Sequence, residues 1–222
     1  PPPTANRPMH FRPPLVVAFV RCLLLGSMVV LLLAPEARGQ AAWQRTVTLI
    51  VPVERDGAPA ALADSAVALA EAQAVSLRRS PSAAPSSLPA LRDALAAEGL
   101  SVRSATHVFL TYRFVLRAGT LHRRPLHAHF IYRPPQSQRR DRSVLYVNLT
   151  EDPVPNALLV ERGLRSARNE AMYHPFREQI SFSALHHTGT VVKVGTRVIR
   201  DSAEATAVEQ RILATLRSLA YR

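Results

Sequence analysis

The segment TLHRRPLHAHFIY at 120–132 gathers His122, His127 and His129 with Arg123 and Arg124. In an extended chain, alternate side chains point the same way. His127, His129, Ile131 and Arg133 then share one face, and Leu126, Ala128, Phe130 and Tyr132 share the other. Two imidazoles at i and i+2 are the start of a metal site, with His122 as a third ligand and His186 and His187 as further donors. Imidazole suits zinc or copper. The neighbouring Arg123, Arg124 and Arg133 repel a divalent cation, and no Asp or Glu lies between Glu98 and Asp141 to offset them. No cofactor is therefore expected, with zinc or copper on His127, His129 and His122 as the alternative.

The arginines suggest a different chemistry. Arg133, Arg139, Arg140 and Arg142 bracket a hairpin tip, PPQSQRRD, while Arg123 and Arg124 stand at the other end of the same strand. Guanidinium forks match phosphate and carboxylate oxygens in pairs. These six residues are the candidate surface for an anionic or protein partner. Tyr112, Phe130, Tyr132 and Tyr146 lie among the same strands, but alternation sends most of them into the core. A stacking platform for nucleic acid is accordingly not expected. Catalytic signatures are missing from the sequence: there is no GxSxG, HExxH, P-loop or dinucleotide glycine pattern. His186 and His187 lie beside Ser183 and Thr188 without the makings of a triad. NLT at 148–150 has the form of a glycosylation acceptor but falls at a strand end.

These side chains need a scaffold to position them. RTVTLIVPV (45–53) reads as a buried first strand, and Val108, Leu110, Tyr112, Phe114 and Leu116 mark a second within 101–119. HAHFIYRP (127–134) and RSVLYVNLT (142–150) are two more, and QISFSAL (179–185) with TVVKVGTRVIR (190–200) form a last pair. Helices are expected over 60–79, over LPALRDALAAEGL with Gly99 as its stop, over 152–172, and over the final segment. There Val208, Ile212, Leu216 and Leu219 make a stripe behind an Asp201/Glu204 capping box. SPSAAPSSLP (80–89) reads as an exposed, mobile connector. Strands in runs with flanking helices predict an α+β fold, a mostly antiparallel sheet of about five to six strands packed by helices.

The first 41 residues differ in texture. Residues 1–8 stand upstream of the first methionine, Met9, and 9–41 has the form of a secretory signal. A basic start precedes the charge-free LLLGSMVVLLLA (23–34), and small residues at Gly39 and Ala41 suit cleavage after Ala41. The alternative is an uncleaved inner-membrane anchor over 15–34, in membrane contact, although Arg21 interrupts that stretch. Export to the periplasm or beyond is the expectation. Cys22 is the only cysteine, so residues 42–222, read as one domain, have neither a disulfide nor a thiolate nucleophile. Without the four arginines and one glutamate of 1–41, 24 basic residues face 15 acidic ones, a net charge of +9. Such a balance favours anionic partners.

One stretch resembles a known family. DRSVLYVNLTEDPVPNALLVERGL (141–164), with its run NALLVERGL, is similar to the late strand and following helix of staphylococcal-nuclease-like domains. That resemblance implies a calcium-dependent hydrolase with an upstream acidic cluster, for which 101–143 supplies only Asp141. The functional expectation is thus a non-catalytic envelope protein that binds an envelope protein or anionic envelope component through the basic hairpin. A histidine-liganded metal protein and a hydrolase are the second and third readings.

Overall fold

The computed structural model of the chain describes residues 43–117, 120–135, 140–165 and 172–220. The expected leader 1–41, with the 15–34 span and Cys22, lies outside the described residues, as do Arg139 and residues 166–171. The described strands are β1 (Trp43–Pro52), β2 (His107–Arg117), β3 (Thr120–Tyr132), β4 (Arg142–Asn148), β5 (Gly163–Arg165), β6 (Tyr173–Pro175), β7 (Thr190–Val194) and β8 (Arg197–Val198). Six of them form one antiparallel sheet in the order β4-β3-β2-β1-β7-β8, and β5 pairs with β6 alone. The helices are α1 (Ala58–Glu71), α2 (Leu88–Ala96), α3 (Val154–Ala157), α4 (Phe176–Gln179), α5 (Phe182–Leu185) and α6 (Ser202–Ala220). The architecture is α+β.

Alternation along β1 to β3 gives the sheet two different faces. Val47, Leu49 and Val51 stand opposite Tyr112, Leu110 and Val108, and the last two stand opposite Ala128 and Phe130. All are at most 2% exposed and share a core with Leu62 and Ala66 of α1, Leu91 and Leu95 of α2, Phe182 of α5 and Leu216 of α6. Each such large side chain removed from water contributes about 1.5–3 kcal/mol. Phe182 meets the rings of Tyr112 and Phe114 edge-on at 5.7 and 5.3 Å. The buried Tyr112 hydroxyl donates to the Ile180 carbonyl at 2.7 Å, so its one polar atom is satisfied. Residues of the other face remain partly open to solvent, among them Thr46, Thr48, Phe109, Arg113, His127 and Tyr146.

Two expected elements are different. Of the helix expected within 152–172, the described residues form a single turn, α3, followed by the short strand β5. Gly163 explains why: a Cβ there would lie 1.9 Å from the His174 carbonyl oxygen. The residue is what lets β5 and β6 approach. The nuclease-like unit of strand and long helix is therefore not formed by 141–164. QISFSAL is not a strand either; it spans the end of α4 and all of α5, and Ser181 accepts a hydrogen bond from the Ala184 amide as a helix cap. Phe176 and Ile180, four apart, and Phe182 and Leu185, three apart, are buried at helical spacing.

The connector 80–89 is largely exposed as expected, yet it is held at its base. Leu77 pairs with Ser86, and Arg78 pairs with Tyr146 on the outer edge of β4. Gly99, at φ +70°, closes α2, with the Leu100 amide donating to the Leu95 carbonyl at 2.9 Å. In α6 the Asp201 carboxylate accepts from the Ala203 amide, but Glu204 pairs with Arg197 instead of completing a capping box.

Candidate functional site

Side chains on the open face fall into rows across the strands. Thr46, Arg113 and Arg124 make one row; Lys193, Thr48, Thr111, His127 and Asn148 make the next; Ile50, Phe109, His129 and Tyr146 make a third. Thr48 and Thr111 hydroxyls bond at 3.0 Å, which stiffens the middle row.

His127 and His129 share this face, as their spacing predicts. Both are half-buried, and both rings pack on Tyr146 at 5.5 and 6.2 Å. Burial, then the charge of Lys193, pushes the His127 pKa down; burial, then His127, does the same to His129. Both are therefore neutral near pH 7. His129 Nε2 is engaged with the Ser143 hydroxyl at 2.9 Å. His122 does not join them: it stands opposite Val115, five residues and so about 16 Å along β3. His186 and His187 follow α5 rather than a strand, with rings 3.6 Å apart and His186 Nδ1 donating to the Ser183 carbonyl. Among the described residues no three His, Cys, Asp or Glu side chains converge as metal ligands.

The arginines of the hairpin are partly neutralised from within. Arg133 makes a two-pronged bond to Asp141 at 2.9 and 2.7 Å, which holds that carboxyl below its usual pKa. Arg142 lies 3.9 Å from Glu98, whose main partner is Arg79 at 2.6 Å. Arg140 is exposed. Arg123 and Arg124, nine to ten residues away along β3, stand about 30 Å from this end. The five candidate arginines among the described residues thus do not form one patch. Arg123 stands opposite Phe114, at the margin of the helix-covered face, and Arg124 opposite Arg113 on the open face.

Residues that the sequence reading did not single out complete the basic end. Gln44, Arg113, Val115, Arg117, His122 and Arg124 line an open groove of about 280 Å³ on the open face. Among the described residues no carboxylate lines it. Arg113 and Arg124 are direct cross-strand partners, an arrangement of like charges that costs roughly 0.2–1 kcal/mol. The Arg113 Nε is enclosed and has no hydrogen-bond partner among the described residues. One signal for this site was available in the sequence. The six strands of the main sheet contain eight Arg or Lys residues and no Asp or Glu, because every described carboxylate falls on a helix, turn or connector. Which of those cations meet depended on the register.

No model of a known protein family and no curated protein matches the chain.

Proposed function

We propose that the protein is an exported, non-catalytic binding protein whose partner is an anionic component of the cell envelope. The observation that supports this reading is the segregation of charge: a sheet with eight cationic side chains and no carboxylate, one of whose faces is left partly open. Export rests on the signal-like form of 9–41. Arg123, Arg124 and Arg140 are exposed and have no carboxylate partner among the described residues, whereas Arg133 and Arg142, also exposed, stand beside Asp141 and Glu98. Exposed cations of this kind attract an anionic partner over the screening length, ~8 Å at physiological ionic strength.

Co-sedimentation of the full chain with phosphatidylglycerol vesicles and with neutral phosphatidylcholine vesicles tests the proposal. Capture by the anionic vesicles, released as salt rises and weakened in R123S/R124S/R140S, is the expected result. Equal capture by neutral vesicles, or capture indifferent to salt, would overturn it.

A further inference from the structure

We infer that the groove bounded by Arg113, Arg117, His122 and Arg124 is a binding site for a phosphate monoester group. This deepens the proposed anion-binding function and rests on it. Arg123 and Arg124 lie in the part of β3 before its pairing with β4 begins at His127. Exposed charges on such an edge also deter strand addition. That role accounts for Arg124 but not for Arg113, which sits on β2 between β1 and β3. A central strand has no edge to guard, and an arginine there faces a like charge with its Nε enclosed and unpaired. An anion between the two guanidinium groups would turn the repulsion into a shared attraction.

The count of charges indicates which anion. Arg113 and Arg124 are direct neighbours; His122 is diagonal to Arg113, and Arg117 is diagonal to His122. These separations lie within ~5–8 Å between Cβ atoms. Arg113, Arg124 and His122 thus face one bound group, and Arg117, four residues or about 13 Å along β2 from Arg113, stands at the far end of the groove. Two adjacent guanidinium groups, with a third at the end of the groove and no carboxylate among its described lining residues, exceed what a single carboxylate or a phosphodiester, each −1, would balance. A phosphate monoester carries about −1.5 to −2 at neutral pH and offers three acceptor oxygens, enough for two guanidinium forks. Gln44 adds an amide at the rim. The group could come from a soluble phosphate or from a lipid headgroup, and the test separates these sources.

The full chain is compared with R113Q/R124Q, with the single variant R124Q at an exposed position, and with R211Q as a control at an exposed position on α6. Inorganic phosphate is titrated while the thermal midpoint is followed, and vesicles containing phosphatidic acid, a monoester, are compared with phosphatidylglycerol, a diester. A midpoint raised by phosphate in the wild type and R211Q but not in R113Q/R124Q supports the site with a soluble source. No shift with phosphate, but capture by phosphatidic acid at least roughly tenfold tighter than by phosphatidylglycerol and lost in R124Q, supports it with a headgroup source. Without ligand, R124Q should melt no lower than the wild type, since it removes a repulsion. Undiminished phosphate or phosphatidic acid binding in R113Q/R124Q overturns the groove while leaving the broader anion reading intact. If the wild type fails to bind phosphate or phosphatidic acid but still binds phosphatidylglycerol, the monoester assignment alone falls; if it binds none of them, both readings fall.

Discussion

His127 and His129 are kept below the ordinary imidazole pKa by burial on a sheet face whose other charges are positive. In the unfolded chain they return to about 6.5. Between the folded and unfolded values the unfolded state binds more protons, so stability rises with pH across that window. Their contribution is fully present above about 6.5 and is lost as the pH falls through the folded values. Denaturant midpoints between pH 7.5 and 5 should therefore fall in the wild type and fall less in H127Q/H129Q. Part of the slope should survive, because burial and Arg133 also lower the His107 pKa. A double variant with the wild-type slope would show that the two rings are not desolvated as described. Both positions and their common face were legible from spacing alone. The burial that sets their protonation was not, because it depends on Tyr146 of β4 and Lys193 of β7 arriving from elsewhere in the chain.

The elements formed where the sequence pattern had one interpretation and changed where it had two. β1, β2 and β4 are rich in β-branched and aromatic residues, β2 with a clear period of two, and all three are present as strands. β3 is longer than its apolar part predicts, thirteen residues from Thr120, because β2 supplies a partner for its polar first half. The stretch after β4 holds apolar residues compatible with a helix, but Gly163 is needed where β5 meets the backbone of β6. Gly163→Ala would press a methyl group onto the His174 carbonyl, and overpacking of this kind costs about 1–3 kcal/mol or more. A lowered thermal midpoint is the expected result. If G163A instead gained helical signal in circular dichroism with no loss of stability, the β5–β6 pairing would not be the native arrangement.

At the scale of the molecule, α1 and α2 do not stand apart from the sheet. Leu62, Leu69, Leu91 and Leu95 are in the same core as Val47, Leu110 and Phe130, and Arg79 reaches across to Glu98 and to the Ser143 carbonyl of β4. Elements that share one core unfold together. Fluorescence of Trp43, the only tryptophan, reports the end of β1, and far-ultraviolet circular dichroism reports the helices. The two should give coincident denaturant transitions. An earlier loss of the helical signal would make 58–96 a separate unit. Which of the strand cations stand side by side also appears only at this scale, because the register of the whole sheet decides it.

The α+β class, the antiparallel strands and the inward set of Val108, Leu110, Tyr112 and Phe114 followed from the sequence, because alternation is a local property and burial enforces it on each strand. The same holds for the common face of His127 and His129 and for the closing helix with its stripe through Leu216. The tertiary structure alone decided that Arg133 is satisfied by Asp141 and that Arg124 lies beside Arg113 rather than beside Arg140. It also decided that Gly163 serves a strand and not a helix. Each of these depends on cross-strand register or on backbone contact between distant segments, and a pattern read along one chain does not contain it. A basic stretch can be read from its residues, but a basic site needs the pairing that brings those residues together.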